Sequence, residues 1–504
     1  MATRVIYALR TDLLYEDAFI TLRYARNLAS GDGLVFNVGE RVLGTTTPLF
    51  ALLLAPAGLV AGDAGLLAAA RGLGILATGA VVWLYFRLAR KAGLPDVVPL
   101  GASLLMAVSY ELVIAGVAGM ETMLIVALML GGLKLLVSER PAAAGLVLGL
   151  LVIGRIDGLL WVALAAGYLW WRDRRLPTPA IIAFAATLAP WLIFATAYYG
   201  SPVPHTMAAK LVAYAPRPLL ERAATAWEMM LSFEPGAQVL ARGLDLLFVV
   251  GAVAALRRRL VLAVPALACP LYVLALIGFA PHVVPWHYVP AAACYILVAA
   301  FGALVTVRWA VQGAWSPSAA VAKSLRVALP AGLTVVAVAA SASRTVGSIA
   351  FNRRSMEAQR AVSQTMGEWI AASSPSAAKV FAEPIGVLGF YSRRYVWDTV
   401  GMVSPVITDY RRRFPSANGW FWESVRDLGP ELVVLRDFER SSNRMFVHGR
   451  PLLPPEGLAW FDANYHAERT FRPPAPGPEG SVLILYRRNG LAVIGTASEK
   501  ASKN

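Results

Sequence analysis

The chain has 504 residues, of which 57% are hydrophobic and 15% are charged, and its mean hydropathy is +0.58. Soluble domains are normally about 45–50% apolar, so this composition excludes an ordinary soluble protein and predicts a polytopic membrane protein. The formal net charge of +15 would suggest nucleic-acid binding in a soluble protein, but much of the positive charge lies in short clusters between apolar runs. These clusters indicate membrane topology, and we expect no nucleic-acid partner.

The first predicted element is an amphipathic helix that begins at two adjacent carboxylates, Glu16 and Asp17. On a helix, Glu16 shares one stripe with Arg23 and Asn27, Asp17 lies on the next stripe, and small apolar residues form the opposite face. Both acids therefore point away from the packing face. They either supply acid chemistry at a membrane surface or simply cap the helix and complement its dipole.

Ten apolar runs come next in the sequence. Each of them approaches or reaches the roughly 20 residues that a transmembrane helix needs. These runs are 65–90, 97–117, 122–138, 142–155, 158–172, 179–199, 237–256, 259–280, 285–307 and 325–343. The run 47–62 is also apolar, but its prolines, its length and the charge pattern favour an interfacial or re-entrant helix. With the cluster Arg87–Lys91 placed inside by the positive-inside rule, this choice puts the acidic helix on the outer side.

After residue 343 the composition becomes mixed and charged, with several prolines. A helix is predicted around 355–372, followed by short β-like runs at 379–383, 395–398, 431–436 and 481–486. This pattern predicts an extracytoplasmic α/β domain over residues 344–504. Residues 1–343 are then the transmembrane region, and its first outer loop, 15–62, contains the acidic pair.

Polar residues cluster where the predicted spans end on the outer side, and the clusters contain Glu121, Arg155, Asp157, His205, Lys210 and His287. Four of these residues also have a plainer explanation. Arg155 and Asp157 would pair at a helix break, His287 would lie beside an aromatic belt, and Lys210 would anchor at the interface. Together, these residues would place carboxylates and cations where a lipid-linked phosphate presents its headgroup.

The sequence does not indicate a metal or nucleotide cofactor. The carboxylates lack the ligand spacing of a structural metal site, so a divalent cation is compatible with the sequence without being indicated. Cys269 and Cys294 lie inside apolar runs, which is typical of small buried hydrophobic residues and supports neither a disulfide framework nor a thiolate site. No phosphate-binding loop or dinucleotide fingerprint is present. We therefore expect that no nucleotide bound by this chain supplies the energy of its reaction.

Six segments in order form a recognisable set: 16–28 (EDAFITLRYARNL), 33–48, 119–122, 154–158, 198–210 and 385–394. They resemble the GT-C superfamily of polytopic, polyprenyl-phosphate-dependent glycosyltransferases, especially its bacterial arabinofuranosyltransferase-like and mannosyltransferase-like branch. The first segment is fairly specific, and the others support it by their order. The resemblance covers nearly the whole chain and predicts a GT-C-like α-helical polytopic membrane protein with a C-terminal extracytoplasmic α/β domain.

The resemblance implies an inverting transfer of a sugar from a polyprenyl-phosphate donor to an extracytoplasmic glycan, lipid or protein acceptor. The protein would be a multi-pass protein of the cytoplasmic membrane. An acid of the first outer loop would act as general base, a role that falls to Asp17 first and Glu16 second. Glu121 would orient the acceptor or tune the pKa of Asp17. The candidates for holding the leaving phosphate or otherwise contacting substrate are Arg23, Arg155, Asp157, His205, Lys210 and His287.

Two other functions remain open. A flippase or transporter of lipid-linked sugars would carry its ionisable residues at mid-membrane along a path, whereas here most lie at span ends. A non-catalytic envelope assembly protein would work through its C-terminal domain alone.

The resemblance also leaves two differences. It predicts a complete transmembrane helix before the acidic pair, but Met1–Leu14 is too short to cross a bilayer, so either further residues precede this sequence or that helix is missing. Gly44–Thr47 reads GTTT where the family more often has GYTN or GYTS. The sugar and the acceptor therefore stay unidentified.

Overall fold

The computed structural model describes residues 1–93, 97–214, 218–230, 238–279, 283–313, 319–415, 419–444, 451–475 and 481–490. The first nine helices are α1 (Ala2–Thr11), α2 (Ala18–Ala29), α3 (Pro48–Lys91), α4 (Val97–Val108), α5 (Tyr110–Val117), α6 (Thr122–Val137), α7 (Pro141–Gly154), α8 (Gly158–Asp173) and α9 (Thr178–Tyr199). The next seven are α10 (His205–Ala213), α11 (Leu219–Met230), α12 (Gln238–Arg257), α13 (Ala263–Phe279), α14 (Val289–Gly313), α15 (Ala319–Gln359) and α16 (Thr365–Ser373). A 3₁₀ helix, Pro285–Tyr288, precedes α14, and a π-helical segment, Arg360–Gln364, joins α15 to α16.

Within the described residues, the remaining elements are five strands and five helices. In chain order they are β1 (Lys379–Ala382), α17 (Gly386–Ser392), β2 (Tyr395–Asp398), α18 (Pro405–Arg413), α19 (Gly419–Leu428), β3 (Leu432–Arg436), α20 (Asp437–Ser441), α21 (Pro455–Asn464), β4 (Tyr465–Phe471) and β5 (Leu483–Arg488).

The chain divides into two compact units. The first unit contains Met1–Leu13, Ala68–Ile193 and Arg217–Ala350, and the second contains Leu14–Leu67, Phe194–Pro216 and Phe351–Asn504. The predicted outer loop 15–62 therefore belongs to the same unit as the C-terminal strands. The division predicted between residues 343 and 344 falls inside α15 and stays a prediction.

Several helices have the length and composition of membrane spans. Within the described residues, four helices are long and apolar enough to cross a bilayer: Pro48–Lys91, Thr178–Tyr199, Pro285–Trp309 and Val335–Ser373. The predicted span 97–117 is instead two helices, α4 and α5, bent by 64° at a short break. The helices α6, α7 and α13 are apolar but shorter.

The run 47–62 is set apart from the apolar helix that follows it. Inside α3, Ala61 and Gly62 depart from helical geometry, and Gly62 has φ 60° and ψ −148°. A residue with a Cβ rarely adopts that conformation, so the break depends on glycine. The break agrees with a separate helix over 47–62, and the prediction that this helix stays at one membrane face remains a prediction.

Glycines allow close helix packing in the first unit. A Cβ on Gly251 of α12 would overlap the carbonyl of Val298, and a Cβ on Gly302 of α14 would overlap the carbonyl of Leu247. Small residues at such crossings let two backbones come into van der Waals contact, which is an important source of helix association in lipid. Larger side chains such as Tyr85 fill the surrounding core.

The second unit contains a five-stranded sheet in the order β2-β1-β3-β5-β4. The strand β1 pairs in parallel with β2 and β3, and β5 pairs antiparallel with β3 and β4. Four of the strands coincide with the predicted β-like runs. The edge strand β4 is additional, since its inner residues, His466 to Thr470, are polar or exposed and lack the apolar alternation that marks a strand in a sequence.

The three parallel strands end at one edge of the sheet, because parallel strands share a direction. Glu383 follows β1, Asp398 ends β2 and Arg436 ends β3. Along the chain, β2 is added to one side of β1, and β3 is added to the other side of β1. The direction in which strands are added therefore reverses between β1 and β3.

Candidate active site

The acidic pair lies at the start of α2 in the second unit. Glu16 Oε1 accepts a hydrogen bond from the backbone N–H of Gly386, at the start of α17. Burial, and next the neighbouring carboxylate of Asp17, raise the pKa of Glu16 well above its ordinary value. Glu16 is therefore an anchored acid that resists ionisation.

Asp17 has different surroundings. Its side chain is half-buried, and within the described part of the chain it makes no hydrogen bond or ion pair. The helix-capping alternative requires a bond from this carboxylate to the first turn of α2, and the structure shows none. An unbonded carboxylate of this kind is suited to accept a proton from a bound hydroxyl.

Four charged groups act on Tyr214, the residue that follows α10. Burial raises the pKa of this phenol most, the carboxylates of Glu383, Asp398 and Asp17 raise it further, and the guanidinium of Arg411 lowers it. Tyr214 therefore marks the place where the acidic pair, the carboxyl ends of β1 and β2, and the helix α18 come together.

Asp398 fixes the loop at that edge of the sheet. It is fully buried, and its carboxylate accepts hydrogen bonds from the backbone N–H groups of Val400 at 2.8 Å, Met402 at 2.5 Å and Val403 at 3.4 Å. Burial raises its pKa to about 6 in spite of these bonds. The carboxylate organises the loop that leads from β2 to α18.

The helices α10 and α18 pack against each other and carry the cations of this region. His205 Nε2 of α10 lies 3.1 Å from Thr408 Oγ1 of α18, and burial followed by the charge of Arg412 lowers the pKa of His205. Lys210 is half-buried on the last turns of α10. His205 thus joins the two helices, and Lys210 adds a positive charge to the pair.

Arg411 of α18 is a cation that the sequence analysis did not single out. Its Nε donates to the carbonyl of Thr399 at 2.9 Å, and its guanidinium lies 3.7 Å from the ring centre of Trp420. Arg411 is 7% exposed, and burial lowers its pKa to about 10. No carboxylate of the described residues lies within ion-pairing distance of it, so an anionic ligand would offset this desolvated charge.

Arg23, which was predicted to contact substrate, is buried and bonded to backbone carbonyls of its own unit. It is 3% exposed, Nη1 donates to the carbonyl of Gly389 at 2.7 Å, and Nη2 donates to the carbonyl of Arg394 at 2.6 Å. Its guanidinium also lies 4.2 Å from the ring centre of Phe36. The side chain is enclosed by its own unit, which favours a structural role, and its contact with substrate stays a prediction.

A buried polar cluster lies in the first unit at the break between α7 and α8. Arg155 Nη2 lies 2.8 Å from Asp157 Oδ2 and Arg155 Nη1 lies 3.4 Å from Glu121 Oε1, while the hydroxyl of Tyr272 donates to Asp157. Two carboxylates therefore surround one guanidinium. Because Arg155 is already neutralised, the geometry favours the plainer interpretation, a structural pair at a helix break, over the predicted contact with a phosphate.

His287 belongs to the 3₁₀ helix of the first unit, where its Nδ1 accepts a bond of 3.4 Å from the backbone N–H of Val284. The predicted site residues are thus divided between the units. Those in the first unit are Glu121, Arg155, Asp157 and His287, and those in the second unit are Glu16, Asp17, Arg23, His205 and Lys210. Their assembly into a single site stays a prediction.

The described residues contain no group of three or more histidine, cysteine, aspartate or glutamate side chains arranged to hold a metal ion. Cys269 and Cys294 are both free and buried.

Residues 349–490 match a family model described as a domain of unknown function, DUF8728. Comparison with curated proteins found no significant match. The crystal structure of ArnT from Cupriavidus metallidurans in the apo state is 12% identical, with a TM-score of 0.55 over 95% of this chain and 96% of that chain. ArnT bound to undecaprenyl phosphate is 13% identical, with a TM-score of 0.58 over 96% of each chain. Arabinofuranosyltransferase AftD from Mycobacteria is 16% identical, with a TM-score of 0.49 over 96% of this chain and 39% of AftD.

At these identities the two ArnT structures show the fold alone. The chain has the GT-C-like fold of a polytopic membrane protein with a small C-terminal sheet domain. The predicted fold class is confirmed, and so is the resemblance to the GT-C superfamily at the level of the fold.

Proposed function

We propose that this chain, which has the fold of the GT-C glycosyltransferases, is an inverting glycosyltransferase. It moves a sugar from a polyprenyl-phosphate donor to a cell-envelope glycan, lipid or protein, at the outer face of the cytoplasmic membrane. The observation that carries the proposal is the half-buried, unbonded carboxylate of Asp17 beside the anchored Glu16. ArnT, whose fold the chain shares, was crystallised with undecaprenyl phosphate, which supports the choice of a polyprenyl-linked donor.

Asp17 is the proposed general base. It takes the proton from an acceptor hydroxyl while that oxygen attacks the anomeric carbon on the side opposite the phosphate. The new glycosidic bond forms as the bond between the sugar and the phosphate oxygen breaks, and the electron pair leaves with the polyprenyl phosphate. Because the pKa of Glu16 is raised, a second full negative charge beside Asp17 is disfavoured.

Lys210 and Arg411 are the proposed partners of the leaving phosphate. Negative charge develops on the phosphate as the bond breaks, and preorganised cations lower the energy of that state. Lys210 and Arg411 lie on two helices that pack together, and Arg411 is a buried cation that pairs with no carboxylate of the described residues. Arg411 takes the role first expected of Arg155, and Glu121, Asp157 and His287 have no step in this mechanism.

The test measures transfer of labelled sugar by the full-length protein in nanodiscs. Donors are a panel of polyprenyl-phosphate sugars, and the acceptor is a cell-envelope extract from a strain that lacks the protein. We expect transfer from at least one donor, a loss of about 10²–10⁴-fold in Asp17→Asn, because a general base contributes about this much, and a smaller loss in Glu16→Gln. The matched control is Asp32→Asn, which removes an exposed carboxylate shortly after α2 and should keep full activity.

Three outcomes would contradict the proposal. If Asp17→Asn kept full activity and Glu16→Gln lost it, Glu16 would be the general base. Full activity of both variants would remove acid–base catalysis from this pair. Movement of intact donor across a vesicle membrane, with no cleavage of its sugar, would support the flippase alternative.

A further inference from the structure

A cavity of about 170 Å³ with a mixed polar and apolar lining lies beside the sheet of the second unit, and the proposed transfer step does not use it. It opens at the carboxyl ends of β1 and β3, next to the start of β5. Five polar residues line it, Ser355, Gln359, Ser363, Arg436 and Ser481, together with the apolar residues Ala358, Val362, Pro384 and Leu483.

The position of this cavity in the sheet is the one at which open α/β sheets bind ligands. Pro384 follows β1 and Arg436 ends β3, and the strand order reverses between these two strands. The crevice at such a reversal is the general binding place in this class of sheet. The opposite wall includes Val362 and Ser363 of the π-helical segment Arg360–Gln364, and π-bulges inside α-helices occur often at functional sites.

The chemistry of the lining matches a neutral, hydroxyl-rich ligand. Arg436 Nη1 lies 2.5 Å from Glu383 Oε2 and 3.4 Å from Glu439 Oε1, so its positive charge is offset and does not select an anion. Serine hydroxyls and the amide of Gln359 supply both donors and acceptors. The volume slightly exceeds the roughly 150 Å³ of a protein cavity that accommodates benzene, so it suits a single six-membered ring.

Two short segments connect the cavity to the acidic pair. After β1, Glu383 pairs with Arg436, Pro384 lines the cavity, and the N–H of Gly386 holds Glu16. From the other wall, Gln359 Nε2 donates to the carbonyl of Leu14 at 3.3 Å, two residues before Glu16. We infer that the cavity is a subsite for one neutral sugar residue of the acceptor. This inference rests on the proposed function.

The test is direct binding of free methyl glycosides to the full-length protein in detergent, measured by saturation-transfer difference NMR. The probes are methyl α-D-mannopyranoside, methyl α-D-glucopyranoside and methyl α-D-arabinofuranoside. The wild type should bind at least one of them. Ser363→Leu, which fills the cavity, and Gln359→Leu, which removes a polar group from a half-buried position, should each weaken binding at least tenfold.

The matched control is Gln364→Leu. Gln364 lies on the same π-helical segment, but its amide donates to Glu368 Oε1 at 2.9 Å on the exposed side, and it does not line the cavity. This variant should bind as the wild type does, and melting temperatures of all variants exclude loss by misfolding. Because Gln359 also donates to the carbonyl of Leu14, a loss of binding is assigned to the cavity when Ser363→Leu shows it as well and Gln364→Leu does not.

Absence of binding in the wild type, or equal binding in all variants, would overturn the subsite. Asp17→Asn should keep glycoside binding while it loses transfer. If the wild type binds a glycoside through Gln359 and Ser363 but transfers sugar from no donor, the proposed function fails and the binding site stands. If transfer is measured and the cavity variants keep both binding and turnover, the subsite fails and the proposed function stands.

Discussion

Two carboxylates that follow each other in sequence, Glu16 and Asp17, differ in chemistry because only Glu16 accepts a hydrogen bond from α17. That bond and the surrounding burial fix Glu16 in place, while the Asp17 carboxylate stays unbonded among the described residues. In a helical projection both acids point away from the packing face, so their different roles depend on the backbone donors at the start of α17. Because these donors are backbone N–H groups, the comparison of Asp17→Asn with Glu16→Gln, which changes the acids themselves, is the decisive residue-scale test.

Asp398 should give the protein a stability that depends on pH. Its pKa is about 6 in the folded chain, against about 3.9 in an unfolded chain. Between these values the folded state binds more protons than the unfolded state, so the free energy of unfolding falls as pH rises from about 4 to about 6, by up to about 3 kcal/mol. Thermal unfolding of the full chain between pH 4 and pH 7 measures this slope.

The slope should become shallower in Asp398→Asn, because the amide does not titrate in this range. Asp409→Asn, which changes an exposed carboxylate of the neighbouring helix α18, is the control and should keep the wild-type slope. An identical slope in wild type and Asp398→Asn would show that ionisation of Asp398 is not linked to folding.

At the scale of elements, the contact between α10 and α18 determines which cations the site has. The sequence separates these helices by about 190 residues, yet His205 and Thr408 meet across them at 3.1 Å. This contact places Lys210 and Arg411 on one pair of helices, next to the loop that Asp398 organises. The cationic part of the proposed site is therefore a product of helix packing.

Lys210→Ala and Arg411→Ala should raise the apparent KM for the polyprenyl-phosphate donor by about 10–100-fold each, because each removes a charge-assisted contact of about 1.5–3 kcal/mol. The apparent KM for the acceptor should change much less. Arg412→Ala is the matched control on α18, since Arg412 is exposed and pairs only with the exposed Asp409 in the described contacts. Steady-state kinetics with one substrate varied at a time makes the comparison.

Equal losses toward donor and acceptor would remove the phosphate role from Lys210 and Arg411. So would a loss in Arg412→Ala as large as that in Arg411→Ala, because the effect would then belong to the general charge of α18.

At the scale of the whole molecule, the proposed site requires a particular membrane topology. Single cysteines at Thr46, Ala61 and Ser376 should react with an impermeant maleimide from outside the cell, and one at Asp173 should react only after permeabilisation. All four positions are exposed in the structure, and the buried native cysteines would first be replaced by alanine. The expectation follows from the positive-inside rule together with a helix 47–62 that does not cross.

Labelling of Ala61 from the inside would mean that 47–62 crosses the membrane. Inner labelling of Thr46 would place the acidic helix in the cytoplasm and exclude an extracytoplasmic acceptor. Either result would overturn the proposed topology, independently of any measurement of transfer.

The sequence by itself determined the features that depend on neighbouring residues. Hydropathy along the chain predicted apolar helices and a polytopic fold, because burial in lipid acts on each run of residues separately. The prolines, the length and the charge pattern of the run 47–62 predicted a separate helix there, and four β-like runs predicted strands of the C-terminal sheet. The edge strand β4 could not be predicted in this way, because its exposed polar residues show no apolar alternation.

Only the tertiary structure decided which charged groups surround the acidic pair. Asp398 and Arg411 come from distant parts of the sequence, yet both act together with Asp17 on the phenol of Tyr214, because parallel strands end at one edge and α18 begins shortly after β2. Burial also favours a structural role for Arg23, and the two carboxylates beside Arg155 neutralise that guanidinium. The sequence shows which side chains are charged. Whether such a charge can bind a ligand depends on its burial and on its partners in the folded protein.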